Sequence, residues 1–169
     1  MRLYGQLHRQ DPILDDGRDR VTFHAILGTP GLSLLVMEVE GTVVATTYLN
    51  VIPNITRSAS PYAVIENVVV DEALRGTGLG TQIMLATLEL AWAAGCYKAM
   101  LLTGSREPST HAFYQRCGFS PDSKTAYLAP GEAALRVSCV SAPCRLGRSI
   151  LDRVRRPSAA PSAVGLFSA

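Results

Sequence analysis

The sequence predicts a mixed α/β fold in which helices flank a mostly antiparallel sheet. The β-rich runs 32–39 and 42–52 are joined by the turn dipeptide Glu40-Gly41, which is typical of a hairpin. The run YAVIENVVVD (62–71) is apolar on both faces near its end, as in a covered central strand. A glycine-rich loop then leads into good helix formers at 81–95. These elements together indicate a layered α/β domain.

The remaining elements are predicted from local signals. Apolar residues spaced by three or four positions indicate two short N-terminal helices. Pro108 at a first helical turn and Gly118 as a stop define a third. In chain order the further predictions are helices at 2–9 and 17–27, a polar loop at 53–61, a buried strand at 96–104, a helix at 108–117 and a short strand at 125–129.

Charge is distributed unevenly along the 169 residues. Residues 1–130 contain 10 Lys+Arg and 12 Asp+Glu, whereas residues 131–169 contain 6 Arg and 2 acidic residues. The hydrophobic fraction of 47% excludes global disorder, and the net charge of +2 is too small to indicate a nucleic-acid partner. We therefore predict a domain at 1–129, followed by a Pro/Ser/Arg-rich tail at 130–169 that is disordered or weakly helical.

The cysteines and apolar runs exclude several classes of protein. The four cysteines form no CxxC pair and have no histidine cluster beside them, so we predict no metal site. They are interpreted as reduced thiols, with Cys96 and Cys117 as small core residues. No apolar run reaches the ~18 residues of a spanning helix, and the N-terminus lacks an apolar signal region. The sequence therefore predicts a cytoplasmic protein with no membrane or nucleic-acid partner.

The stretch VVVDEALRGTGLG (68–80) carries the functional signal. Glycines at 76, 78 and 80 allow backbone N–H groups to converge at a helix N-terminus, where a phosphate is favoured. Arg75 adds a positive charge beside them. The loop lacks the GK[ST] of a P-loop, and its GxGxG does not follow the strand directly as in a Rossmann loop. A pyrophosphate is the predicted ligand.

The pattern Arg-x-x-Gly-x-Gly between an apolar strand and an apolar helix resembles the coenzyme A-binding motif of the GNAT superfamily of N-acetyltransferases. IENVVVDEALRGTGLG, GCYK (95–98) and FYQRCGF (113–119) are similar to the family in the same order and spacing. Within the family, these segments are most similar to small bacterial members and to the glucosamine-6-phosphate N-acetyltransferase branch. The resemblance covers roughly residues 32–129. It implies a GNAT-like fold and an enzyme that uses acetyl-CoA as co-substrate.

The resemblance also implies roles for individual residues. Backbone groups of the strand end, beside a bulge, would polarise the thioester carbonyl, and Tyr114 would be the general acid; otherwise Tyr114 is an aromatic core residue paired with Phe113. Glu66 is the candidate base because, apart from Asp71, it is the only acid on the central strand; otherwise it is a solvent-facing carboxylate. The predicted cofactor-binding residues are Val68, Val69, Val70, Arg75, Gly76, Thr77, Gly78, Leu79, Gly80, Thr81 and Tyr114.

The expected reaction is acetyl transfer to a primary amine of a small molecule by direct attack in a ternary complex. The alternatives are a protein N-terminal or lysine acetyltransferase, and a GNAT-like module that binds CoA without turnover. A homodimer is left open. The chain departs from the family pattern in one respect that concerns the fold, because relatives usually begin with a strand before the first helix. Two explanations are left open: the first strand is missing, or the start of the sequence is truncated.

Overall fold

The computed structural model describes residues 2–12 and 14–129. The N-terminal part contains α1 (Arg2–Leu7) and α2 (Arg18–Gly28), followed by the strands β1 (Leu32–Val39) and β2 (Thr42–Ile52). After the short turn α3 (Thr56–Ala59) come β3 (Tyr62–Val70), a 3-10 turn at Glu72–Leu74, α4 (Leu79–Ala93), β4 (Ala99–Met100) and α5 (Pro108–Arg116). These elements belong to one compact unit that ends at Ala126. The tail predicted at 130–169 lies outside the described residues.

The sheet has four strands in the order β1-β2-β3-β4, and the β1–β2 and β2–β3 pairs are antiparallel. The predicted hairpin is confirmed. Glu40 and Gly41 both have positive φ, at 49° and 76°, as a tight hairpin turn of the right twist requires. Among the described residues, the first regular element is α1.

The core lies between the sheet and α4. Leu49 of β2, Ile65 of β3 and Met84 of α4 are fully buried and belong to one cluster. Two buried hydroxyls are satisfied within this core, because the oxygens of Thr47 and Thr87 lie 2.6 Å apart. The apolar helix that the sequence predicted after the glycine-rich loop therefore packs against the sheet.

Two of the predicted strands differ in the structure. The strand predicted at 96–104 is reduced to the two residues of β4, which pair in parallel with Ala63 and Val64. Beyond them the backbone N–H of Ser105 donates to the Thr103 hydroxyl, a local side-chain bond that competes with sheet pairing. The strand predicted at 125–129 is wrong, since these described residues form no regular element and Tyr127 and Leu128 are exposed.

Among the described residues, no helix combines the length and apolar character needed to cross a bilayer.

Candidate active site

A cleft opens beyond the point where the pairing between β3 and β4 ends. The last paired residues are Val64 and Met100, so the second half of β3 has no neighbour on that side among the described strands. The resulting cavity has a volume of about 850 Å³. Its walls come from α1, the end of β3, the glycine-rich loop, residues 103–107 and α5. The cleft is therefore built from elements that are far apart in the sequence.

A β-bulge distorts β3 beside this cleft. Thr46 pairs with Val69 and Tyr48 pairs with Glu66, so Asn67 and Val68 together face the single residue Thr47. Asn67 has a φ of 50°, a left-handed conformation that asparagine tolerates better than most residues. Such a bulge leaves one residue unpaired and locally disrupts the ladder. The structure thus has the bulge that the resemblance implied, and the bulge includes Val68, the first of the three valines predicted to contact the cofactor.

After β3 the chain forms the 3-10 turn at Glu72–Leu74, and the glycine-rich loop then leads into the first turn of α4. Gly76 and Gly78 have φ values of 82° and 93°, which only glycine adopts readily. A Cβ at either position would meet no atom within 4 Å, so this side of the loop faces open space. Gly78 caps α4 without a side-chain hydrogen bond. The first N–H groups of α4 are consequently available for an anion.

Gly80 has a different function from the other two glycines. It lies within α4 and has no positive φ, so the conformational freedom predicted for it is not used. An added Cβ would lie 3.3 Å from side-chain atoms of both Phe113 and Val70. The absence of a side chain lets α4 approach β3 and α5 closely. This corrects the interpretation of Gly80 as loop geometry, although the residue does line the cleft.

Tyr114 of α5 belongs both to the cleft wall and to the aromatic packing. Its ring centroid lies 4.9 Å from that of Phe113 and 6.2 Å from that of Phe119. Burial raises the pKa of the Tyr114 phenol, and the charges of Cys117 and Glu66 add to this effect. The phenol therefore keeps its proton at neutral pH. The catalytic and the core interpretations of Tyr114 are compatible with each other in this geometry.

Glu66 lies on β3 directly opposite Tyr48, and its side chain is half-buried rather than fully buried. It does not form part of the cleft wall. Burial, followed by the influence of Tyr4, raises the pKa of Tyr48. Glu66 is close enough to Tyr114 for its charge to affect the phenol. The charge of the predicted base thus adds to the raised pKa of the predicted acid, although Glu66 does not line the cavity.

The other predicted cofactor residues divide into two groups. All three valines, Arg75 and Thr81 line the cleft, whereas Thr77 and Leu79 do not. The Thr77 hydroxyl instead donates to the Leu74 carbonyl at 2.6 Å, which stabilises the loop from within. Residues that sequence reasoning did not place in a cofactor site complete the wall: Gln6, Leu7, Leu74, Thr103, Ser105, Glu107, Ser109, Thr110, Phe113 and Arg116.

No local pattern could have identified Gln6 and Leu7, because α1 reaches the cleft only through the tertiary fold. Three other titratable side chains do not line the cleft: His111, Cys96 and Cys117. His111 is exposed and its Nε2 lies 2.9 Å from the Ser105 carbonyl oxygen. Cys96 and Cys117 are buried free thiols whose pKa values are raised by burial, as expected for core residues. In residues 2–12 and 14–129, no group of three His, Cys, Asp or Glu residues could hold a metal.

Comparison with known proteins identifies the family. The family model described as "Acetyltransferase (GNAT) family" matches residues 3–119, which is more than half of the chain. The chain belongs to the GNAT family. The match begins inside α1 and ends just after α5, so it contains every wall of the cleft.

Two curated relatives and one solved structure are similar to this GNAT chain. It is 39% identical over 80 residues to "Probable glucosamine 6-phosphate N-acetyltransferase 2" of Oryza sativa subsp. japonica, covering 47% of this chain and 46% of that protein. It is 32% identical over 119 residues to "Glucosamine 6-phosphate N-acetyltransferase 1" of the same plant, covering 69% and 70%. The first match thus spans only about half of the relative's length.

The solved structure is described as "Putative acetyltransferase from Agrobacterium tumefaciens str. C58". It is 45% identical to this chain and superposes with a TM-score of 0.73. The match covers 77% of this chain and 90% of that one. The mixed α/β fold predicted from the sequence is therefore confirmed.

Proposed function

We propose that this protein is an acetyl-CoA-dependent N-acetyltransferase that acetylates a primary amine of a small molecule by direct attack in a ternary complex. One observation carries the proposal. The same cleft has free helix N–H groups at one end, a bulged strand along its floor and the Tyr114 phenol in its wall. GNAT enzymes use acetyl-CoA as co-substrate, which supplies the acetyl thioester.

The glycine-rich loop is suited to a pyrophosphate. Its left-handed Gly76 and Gly78 face open space, and the uncapped start of α4 offers N–H groups to an anion. Arg75 lines the cleft and adds positive charge, while its Nε donates to the Val70 carbonyl at 3.2 Å. The residues therefore fit coenzyme A, whose two linked phosphates would be held by Arg75 and the amides that follow it.

The bulge of β3 would place a backbone N–H where it can polarise the thioester carbonyl of acetyl-CoA. Residues Val68–Val70 line the cleft, and the bulge at Asn67 and Val68 disrupts the sheet ladder at the start of this segment. A backbone N–H in this segment would donate to the thioester oxygen as negative charge develops on it. A fixed main-chain donor needs no reorganisation during the reaction, which is why a bulge in a well-packed strand is a suitable place for it.

Tyr114 would donate a proton to the departing thiolate. Its phenol is held in the neutral form by burial, which also makes it a weaker acid than a free tyrosine. A thiolate whose conjugate acid has an ordinary pKa of ~8.5 would take a proton from such a phenol only uphill. A thiolate shielded from solvent in the cleft would be a stronger base, because burial disfavours its charged form. Burial would therefore raise the pKa of both partners.

Glu66 would remove the proton from the attacking amine, directly or through water. It lies one residue before the bulge, and it is half-buried next to Tyr48. Because it does not line the cleft itself, a bridging water fits its position better than direct contact with the amine. An ammonium group would also be attracted to this carboxylate before deprotonation.

The acceptor is inferred from the relatives. The curated relatives are named for acetylation of glucosamine 6-phosphate. We therefore propose a small primary amine of the amino-sugar kind, in preference to a protein N-terminus or lysine.

A thiol-release assay tests the proposal. The full chain would be mixed with acetyl-CoA, a panel of amino sugars and other amines, and a thiol reagent, while calorimetry measures CoA binding separately. Amine-dependent thiol release is the expected result. Tight CoA binding without release for any amine would instead support a non-catalytic CoA-binding module. Release only with peptide amines would move the acceptor to a protein N-terminus or lysine.

A further inference from the structure

Helix α1 contacts the start of the phosphate-binding loop, although they are far apart in the sequence. The Arg2 guanidinium forms an ion pair with the Asp71 carboxylate, and its Nη2 donates to the Val43 carbonyl at 2.7 Å. Leu3 beside it is buried. The Arg2 hydrogen bond is the main cause of the lowered pKa of Asp71. Arg2 thus connects α1 both to the sheet and to the residue at which β3 ends.

Two further side chains continue this contact along the loop. The Glu72 backbone N–H donates to the Gln6 side-chain oxygen at 2.9 Å. The Arg9 guanidinium reaches the Glu72 carboxylate at 2.5 Å. Arg2, Gln6 and Arg9 are called the clasp residues below. Apart from the Arg2 bond to Val43, the polar contacts described here all lead to Asp71 or Glu72, the two residues that directly follow β3.

The loop transmits the position of Asp71 toward the glycines. The Asp71 carboxylate accepts from the Ala73 N–H at 3.2 Å, and the Asp71 carbonyl accepts from the Leu74 N–H at 2.9 Å. The Leu74 carbonyl in turn accepts from the Thr77 hydroxyl at 2.6 Å. A continuous series of hydrogen bonds therefore leads from the clasp residues to the residue before Gly78.

We propose that the clasp residues position the phosphate-binding loop, so that docking of α1 and binding of coenzyme A favour each other. The inference rests on the proposed function. A glycine-rich loop loses much conformational freedom when it closes on a ligand, and a loop held in place beforehand loses less. With six residues, α1 is too short to be stable alone, so its own position depends on these contacts.

The three clasp residues should not contribute equally to holding the phosphate-binding loop in position. The Asp71 side chain is only 13% exposed, whereas the side chains of Arg9 and Glu72 are 71% and 51% exposed. Solvent screens the more exposed pair and leaves little net attraction. Arg2 is therefore the principal positioning residue. It is assigned no contact with the acetyl group or the amine, so its loss should affect affinity for the co-substrate rather than the chemical step.

Affinity measurements with a matched control test this. Arg2→Gln should weaken CoA binding about five- to ten-fold by calorimetry and raise the KM for acetyl-CoA similarly, with kcat within two-fold of wild type. Arg2→Lys should restore part of the affinity, and Arg9→Gln should change it less than two-fold. Arg18→Gln is the control, because it removes the same charge from an exposed pair with Asp16 that does not involve the loop.

Hydrogen exchange on the wild-type chain provides a test that needs no variant. Coupling between two sites is reciprocal, so CoA must slow exchange of the amide of His8, which directly follows α1 and donates to the Tyr4 carbonyl of that helix at 3.0 Å. The amides of α2 should not change. Equal CoA affinity of Arg2→Gln and Arg18→Gln, or unchanged exchange of the His8 amide, overturns the clasp while leaving the proposed function intact. A wild-type protein that does not bind CoA overturns both.

Discussion

The two sides of β3 differ sharply. Toward β2 the strand is paired along nearly its whole length, from Tyr62 to Val70, with a single bulge. Toward β4 it is paired at only two positions, and the cleft begins where this pairing ends. The paired side buries the core against α4, whereas the open side exposes backbone and loop to a ligand. Stability and function are thus located on opposite edges of one strand.

The largest expected effect is on the paired side. Leu49 is 2% exposed and belongs to the core cluster with Ile65 and Met84. Leu49→Ala should lower the free energy of unfolding by about 2–5 kcal/mol, measured by urea denaturation. CoA affinity per folded molecule should not change. The matched variant Leu102→Ala, at a residue 53% exposed beyond β4, should alter stability by less than about 0.5 kcal/mol.

The next effect concerns the open side. Gly78→Trp should reduce CoA affinity by more than about 100-fold in calorimetry, because the new side chain would occupy the space in front of the α4 N-terminus. Gly41→Trp is the control for backbone strain, since Gly41 also has a positive φ and open space around it. If both variants bound CoA equally well, the loop would not be the phosphate site.

Tyr114→Phe should have a smaller effect, on turnover alone. Removal of a general acid typically costs about 100-fold or more in kcat, while the packing of the ring against Phe113 is retained. CoA affinity should be unchanged, and Tyr97→Phe on the surface should behave as wild type. Because burial raises the pKa of Tyr114, ionisation of this phenol should not reduce kcat below about pH 10. Full activity of Tyr114→Phe would remove it from the mechanism.

The sequence predicts the paired side better than the open side, for a physical reason. The β1–β2 hairpin and α4 depend on local periodicity and turn residues such as Glu40 and Gly41, which are visible in the sequence. Beyond the early end of β4, local side-chain bonds at Thr103 and Ser105 offer the backbone an alternative to strand pairing. The spacing of apolar residues in the sequence does not indicate whether such side-chain bonds will replace strand pairing.

The cleft itself divides in the same way. Its glycines and valines follow one another along the chain, so a motif identifies them together. Gln6 reaches the site only because α1 packs beside the loop. The ion pair between Arg2 and Asp71 joins two residues that are 69 positions apart in the sequence. Contacts of this kind have no local signature. A pattern of spacing could therefore identify the phosphate site and still miss the helix that holds it.

The smallest expected effect is the pH dependence of the Arg2–Asp71 pair. The hydrogen bond from Arg2 lowers the pKa of Asp71 below its usual value of ~3.9. The pair should therefore stabilise the fold fully above about pH 4, and this stabilisation should be lost as the pH falls through the lowered pKa.

The variant Asp71→Asn tests this because it removes the titrating group. The free energy of unfolding of this variant should fall less steeply below pH 4 than that of the wild-type protein. Arg2→Gln should flatten the same region by returning the carboxyl toward its ordinary pKa. Parallel urea titrations at pH 5, 4 and 3 measure these slopes, and identical slopes in all three proteins would show that the ion pair contributes nothing to stability in this range.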